Sequence, residues 1–378
     1  MKIARYHIHR VNLPFRHAFT HALASRTSSE SVMLEIVTTN GVHGFGECLP
    51  RDYVSGENRD QVCAWLGAAL LQLGATEFFS LDDIDQTCAR VASQWPANSC
   101  TRAALELALL DAFSREHQQP LINLFSMGLP LPAAIAYTAT LTMASGPALE
   151  QLLTQLQGVP VGNIKLKADR TLPALADNLA RVRRHFPHTP LRLDANGDWG
   201  AVDTRELLAV LADYRVEAVE QPVLGQDPGG LASWRARLNR QDIQLIVDES
   251  VCSPADAQTM IAGGACDCIN IKISKVGGLF NALAIYRLAS DNGVACQLGA
   301  NVGESSIATA AGHLFASLAG DLRYHEGAFG TLLLEHDVCA EPLMFGADLC
   351  LSAARWNGVC GWGVEVDAAL LSRASLSG

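Results

Sequence analysis

The chain has 378 residues, 49% hydrophobic and 18% charged, with a formal net charge of -11. That length exceeds what one hydrophobic core comfortably supports, so a large domain accompanied by a smaller one is expected. The acidic balance argues against nucleic acid as a partner, because its binders usually carry a basic patch.

No stretch reaches about 18 consecutive apolar residues, so no membrane span is expected. The first fifteen residues alternate like a strand and lack the apolar run of a signal peptide. Eleven cysteines are scattered without a CxxC pair, which predicts reduced thiols in a cytoplasmic protein. Strands are expected over 2–13 and 31–38, followed by a turn into a third strand at Gly41–Glu47. Helical periodicity follows near 60–73, 81–93 and 100–116. Strands followed by helices describe an α+β domain, assigned to residues 1–130.

From about Ala133 short apolar runs alternate with amphipathic stretches. Strands are expected at 134–141, 163–168, 191–195, 216–220, 243–248, 268–272, 294–298 and 323–326. Helices are expected near 145–157, 173–186, 203–213, 228–240, 253–262, 278–292 and 305–319. The fold class is therefore α/β, with a (β/α)8 TIM-type barrel assigned to 131–329. A doubly wound sheet shows the same alternation, but no GxGxxG closes a first strand. Residues 330–378 are expected to return to the capping domain and complete it.

Charged groups recur at the C-terminal ends of successive barrel strands, where such barrels build active sites. Strand two ends in Lys165-Leu166-Lys167, strand three in Asp194-Ala195-Asn196 and strand four in Glu220-Gln221-Pro222. Strand five ends in Asp248-Glu249-Ser250, and strand six leads into Lys272-Ile273-Ser274-Lys275-Val276-Gly277-Gly278. Asp194, Glu220 and Asp248 would form an arc of carboxylates that repel one another unless a cation neutralises them, and oxygen-only ligation suits Mg2+. Lys167 and Lys272 flank the arc, a geometry for proton transfer on two faces of one carbon. Lys165 shares a face with Lys167 and lies deeper, so its ammonium is expected to lower the pKa of its neighbour. Each motif alone has a bland reading, such as a strand edge for KxK or a helix cap for Asp248.

Taken in order, these motifs resemble the enolase superfamily, and specifically its muconate-lactonizing (muconate cycloisomerase) subgroup. Gly44–Glu47 (GFGE) and the AALELALLDAF run at 103–113 belong to the same resemblance, which spans nearly the whole chain. It implies that Asp194, Glu220 and Asp248 bind Mg2+, with Mn2+ as an alternative ion, and that Lys167 and Lys272 are the acid/base pair. Lys165 then matches the first lysine of KxK, and Asn196 and Glu249 match the polar neighbours of the ligands. The mandelate racemase subgroup is less similar, since it uses a histidine on strand seven where this chain has Cys296-Gln297-Leu298.

In this subgroup two loops of the cap cover the barrel mouth, here 15–26 and 50–57. They make His17, Phe19, His21, Arg51 and Tyr53 candidate substrate contacts. On strand eight, Glu326 lies in a run loosely similar to that of muconate cycloisomerases, with altered spacing, as an electrophilic or orienting group. Dipeptide epimerases of the subgroup carry DxD there, whereas this chain has Tyr324-His325-Glu326, which counts against a standard dipeptide substrate. N-acyl amino acids and betaines remain open.

The expected function is thus a Mg2+-dependent isomerase that removes the α proton of a small carboxylate substrate through an enediolate. Cycloisomerisation and racemisation or epimerisation stand level, with dehydration of the o-succinylbenzoate synthase type third. A non-catalytic barrel would have lost one of the five charged positions, and none is lost. An aldolase with a Schiff base on Lys272 would leave the carboxylate arc without a role. Members of the resembled family are often oligomeric, which implies a homo-oligomer, although no interface signal is visible in the sequence.

Overall fold

The computed structural model describes residues 1–376 except 22–23, 75, 127–129, 142–144, 170, 201 and 226, and omits the side chains of 18–21, 24, 25 and 376. Three antiparallel strands open the chain: β1 (Ile3–His21), β2 (Ala24–Thr38) and β3 (His43–Cys48), in the order β1-β2-β3. The segment 15–26, expected as a loop, is instead the far end of the β1–β2 hairpin. Its pairing lapses between Pro14 and Phe19 and resumes through Phe19↔Arg26, Thr20↔Ser25 and His21↔Ala24. Pro14 has no N–H to give a ladder, so an irregularity begins where the sequence places it.

This sheet packs on the helix Ser99–His117, whose residues 99–114 are all buried. The two glycines of GFGE make the approach possible. A Cβ at Gly46 would lie 2.2 Å from the carbonyl oxygen of Ala104, and one at Gly44 would lie 2.5 Å from that of Ala108. Small residues on the helix and bare backbone on the strand thus meet at a distance that no larger pair would allow.

The barrel strands β5 (Ala139–Leu141), β6 (Ile164–Lys167), β7 (Leu191–Asp194), β8 (Ala218–Glu220), β9 (Gln244–Val247), β10 (Cys268–Ile271) and β11 (Ala295–Leu298) lie side by side in one parallel sheet. The expected first strand, 134–141, divides in two. Its first part, β4 (Ala134–Ala136), pairs antiparallel with β12 (Cys350–Ser352), and only the second part joins the barrel. The expected eighth strand, 323–326, is reduced to a single parallel bridge between Leu298 and His325. The ring nevertheless closes through the backbone. Arg323 and Glu326 donate to Cys296 and Leu298 at 2.8 Å each, Leu298 donates to Tyr324 at 3.0 Å, and Thr138 donates to His325 at 2.7 Å. Among the described residues Thr138 supplies the one backbone bond on the β5 side, because the chain before it turns away to pair with β12.

Inside the ring the side chains are layered. Ala218, Ile246, Cys268 and Tyr324 form a small apolar floor of their own. Charged and amide side chains lie above it, toward the C-terminal ends of the strands.

Cap and barrel are joined by buried carboxylates acting on backbone N–H groups. Glu47 of GFGE accepts from Ser305 N at 3.1 Å and Ser305 Oγ at 2.6 Å, at the start of the helix Ser306–Ala319. Glu106 accepts from Phe280 N at 3.0 Å and from Arg102 at 2.6 Å, while Arg102 also donates to the Gly277 carbonyl. The chain beyond the barrel comes back to the cap: Glu335 N donates to Pro14 O, Arg16 N to Leu333 O, and Trp362 Nε1 to Phe45 O. It carries a helix at Ala368–Leu376. All eleven cysteines are free. Among the described residues no helix is long and apolar enough to cross a membrane.

Candidate active site

The alternation of β6 explains how two lysines enter the barrel. Ile164 and Leu166 are buried against the outer helices, so Lys165 and Lys167 point the other way. Lys167 is level with Asp194, and Asp194 with Glu220, in the strand register. Asp248 follows the end of β9, and Lys272 the end of β10.

The backbone leaves β7 and β8 through residues in the left-handed region, Asn196 at φ 43° and Gln221 at φ 39°. Both are tied down. Asn196 N donates to Asp194 Oδ1 at 3.0 Å, and Asn196 Nδ2 to Glu249 Oε1 at 3.0 Å. Gln221 Oε1 accepts from Asp248 N at 2.9 Å, and Gln221 Nε2 donates to Ser250 Oγ at 2.7 Å. Gln221 therefore sets the position of the next strand's carboxylate.

The charged groups form a dense array. Lys165 Nζ lies 2.8 Å from Glu220, 3.0 Å from Glu326 and 3.1 Å from Asp194. Lys167 Nζ donates to Asp194 Oδ2 at 2.6 Å and to Asn196 Oδ1 at 2.7 Å. Asp248 is held from two sides, by Lys272 at 2.6 Å and Lys275 at 2.9 Å. Arg192 donates to Glu326 at 2.6 Å with its guanidinium 4.2 Å above the Tyr324 ring. Asn270 and Gln297 donate to the two oxygens of Glu220 at 3.0 and 3.1 Å.

These contacts set the protonation behaviour. Burial opposes ionisation of Asp194 and Asp248, but the lysines beside them outweigh it and hold both below the usual carboxylate range. Burial likewise opposes the charge on Lys165, yet Asp194, Glu220 and Glu326 keep its pKa well above the ordinary value. Lys272 is also raised, its burial overcome by Asp248 and Glu249. Glu220 moves the other way, pushed up to about 8 by burial and by the carboxylates around it, against the pull of Lys165.

Lys165 is thus a countercharge enclosed by acids. Among the described residues no three His, Cys, Asp or Glu side chains converge closely enough, as they stand, to hold an ion. Ammonium groups are interleaved between them instead. The donor chemistry still suits a hard divalent cation: every acid is an oxygen donor, and Glu249 Oε2 is buried without a hydrogen-bond partner. Five carboxyl groups lie interleaved with five cationic side chains.

Above it opens a cavity of about 430 Å3, lined by Lys165, Lys167, Asp194, Asn196, Glu249, Lys272 and Glu326 on the barrel side. Arg51 and Tyr53 line it from the cap. Glu220 and Asp248 lie beneath, fully buried. His17 is exposed and is not among the described residues lining the cavity. The side chains of Phe19 and His21 lie outside the described residues. Sequence reasoning passed over Arg192, Gln221, Asn270, Lys275, Gln297 and Arg26. The first four each sit within three positions of a named residue, and period-two alternation would have put Arg192 and Asn270 in the barrel with Asp194 and Lys272.

Comparison with known proteins agrees with this architecture. Residues 4–126 match the mandelate racemase/muconate lactonizing enzyme N-terminal domain, and residues 149–370 match the family described as enolase C-terminal domain-like. A hydrophobic dipeptide epimerase of Citrifermentans bemidjiense is 33% identical over 82% of this chain and 84% of its own length. A chloromuconate cycloisomerase of Cupriavidus pinatubonensis is 29% identical over 89% of each chain. The crystal structure of a dipeptide epimerase from Enterococcus faecalis, complexed with Mg and the dipeptide L-Leu-L-Tyr, superimposes with a TM-score of 0.85 at 24% identity, covering 97% of this chain and 100% of that one. Matched in both its cap and its barrel, the chain belongs to the enolase superfamily.

Proposed function

We propose that this protein is a Mg2+-dependent isomerase that moves the α proton of a small carboxylate substrate from one face of the carbon to the other. The observation that carries the reading is the pairing of Lys167 and Lys272. Each stands on a different carboxylate, and both open into one cavity, with side chains 13% and 16% exposed against 3% for Lys165. Relatives named as epimerases and a cycloisomerase, and the Mg in a structural neighbour, support the same chemistry.

Asp194, Glu220 and Asp248 would hold the ion, which when bound supplies the positive charge that stabilises an enediolate. The chain's own residues do the rest. One of the two lysines, as the neutral amine, is the base that the reaction requires. The neutral lysine takes the proton from the α carbon. The opposite lysine, as an ammonium, returns a proton to the other face, so charge and protons balance over one turnover. Lys165 and Lys275 remain as fixed positive charges beneath, and Asn196 keeps Lys167 aimed upward. In cycloisomerisation a substrate carboxylate would add across the double bond and a lysine ammonium would then protonate the resulting enediolate, so a lactone product identifies that reaction.

The test is α-proton exchange in D2O with Mg2+ over pools of N-acyl amino acids, dipeptides, betaines and muconates. Lys167→Ala should lower exchange by about 10²- to 10⁴-fold, the usual worth of a general base, while calorimetry still shows Mg2+ binding. Undiminished exchange in that variant would overturn the assignment of the base.

A further inference from the structure

A second hollow lies on the outer wall of the barrel and shares no lining residue with the cavity above the lysines. It has a volume of about 530 Å3 and opens between the helix Thr204–Asp213 and the end of the helix Pro228–Leu238, which the turn Asn239–Gln241 continues. Three exposed arginines line it. Arg205 stands in the first turn of one helix, and Arg237 and Arg240, three apart, share a face at the end of the other. Arg237 reaches the Thr204 hydroxyl at 3.4 Å and so links the two sides. The apolar part of the lining comes from Leu208 and Ala209.

This is a concentration of positive charge on a chain whose formal net charge is -11. No carboxylate lines the hollow. Among the described residues the side chains of Arg205 and Arg240 have no hydrogen-bond or ion-pair partner. Nearby arginines are committed: Arg235 pairs with Asp267 at 2.7 Å, Arg183 donates to the carbonyls of Tyr214 and Thr189 at 2.7 and 2.6 Å, and Arg215 to that of Pro187 at 2.6 Å. Asp203 Oδ1 accepts from Arg205 N and Glu206 N at 2.8 and 3.2 Å, as a helix cap. Those backbone N–H groups are therefore taken, and the attraction for an anion comes from side chains.

We propose that Arg205, Arg237 and Arg240 form a binding site for a phosphate monoester with a compact apolar body, separate from the site of the reaction. A lone carboxylate would answer only one of the three guanidinium groups. A phosphate monoester brings nearly two charges and three acceptor oxygens, enough for more than one planar fork. Its apolar body lies against Leu208 and Ala209.

The probes are phenyl phosphate and phenyl sulfate, nearly alike in shape but carrying about two charges and about one at pH 8. Each is titrated calorimetrically into the full chain in Mg2+ buffer of low ionic strength. Phenyl phosphate should bind about 2- to 5-fold more tightly than the sulfate, the worth of one exposed ion pair. Arg205→Gln combined with Arg240→Gln should weaken phenyl phosphate about 5- to 10-fold and erase the preference. Both positions are exposed, so the double variant should unfold at the wild-type urea midpoint. Raising ionic strength from about 0.01 to 0.1 M, which shortens the Debye length from about 30 to 10 Å, should weaken binding in the wild type. Lys167→Ala, which alters the barrel mouth, should bind phenyl phosphate as the wild type does.

Equal affinity for phosphate and sulfate, or a double variant that binds phenyl phosphate undiminished, would overturn the site. Loss of binding in Lys167→Ala would also overturn it, by placing the anion at the lysines. Binding lost in the double variant and kept in Lys167→Ala would uphold it, whatever reaction the barrel proves to catalyse.

Discussion

Glu326 gives the sharpest test of how the barrel interior is held together. The carboxylate accepts from Arg192 at 2.6 Å, Lys165 at 3.0 Å and Gln297 at 3.3 Å. In a Glu326→Leu variant Lys165 would keep Glu220 and Asp194, but Arg192 would be left with neutral partners, the Thr138 hydroxyl at 3.2 Å, Asn163 Oδ1 at 3.4 Å and the Tyr324 ring. A buried cation would lose its acid, and breaking such a pair costs about 3–5 kcal/mol. With a urea m-value near 3 kcal/mol/M, the unfolding midpoint should fall by about 1–1.7 M. Replacing both partners, as Glu326→Leu with Arg192→Met, should recover most of the loss, because no uncompensated charge then remains buried. Midpoints are read from far-UV circular dichroism and tryptophan fluorescence together, which also checks that the transition is cooperative. A single-variant shift below about 0.3 M, or a double variant no more stable than the single, would refute the view that Glu326 is primarily a countercharge. It would return Glu326 to the substrate-orienting role that the sequence suggests.

Two further predictions concern the seam between cap and barrel. Burial, with the charge of Glu47 adding to it, raises the Glu304 carboxyl from 4.5 to about 8. The folded chain therefore holds a proton that the unfolded chain has released, and stability should decline as pH rises through that window; Glu304→Gln should flatten the slope in urea titrations from pH 5 to 8, and an unchanged slope would count against the assignment. Gly278 has φ 108°, and a Cβ there would lie 2.4 Å from Glu106 Oε1. Gly278→Ala should thus destabilise by at least about 1–3 kcal/mol, whereas Gly67→Ala, in a helix with open space around it, should stabilise by about 0.5–1 kcal/mol; similar midpoints for the two variants would contradict this reading.

Much of the architecture was legible in the chain because it depends on local periodicity. The period-two and period-3.6 patterns marked the seven ladder strands and the helices between them to within a few residues, since each element buries a face that its own sequence defines. The charged residues at the strand ends were legible for a related reason: one per βα unit places them on the same rim, and Lys167, Asp194, Asn196, Glu249 and Lys272 do line one cavity. The division of 134–141 was not legible, because it depends on where residues 350–352 come to lie. Pairing between distant segments leaves no local signature.

The electrostatics divide in the same way. Residue types and spacing alone indicated an acidic arc flanked by lysines. Closure of the ring then decided that Lys165 lies among three acids, that Arg192 donates to Glu326, and that Gln221 anchors Asp248. A side chain's charge and partners depend on every group within a few ångströms, and those neighbours come from strands that lie far apart in the sequence.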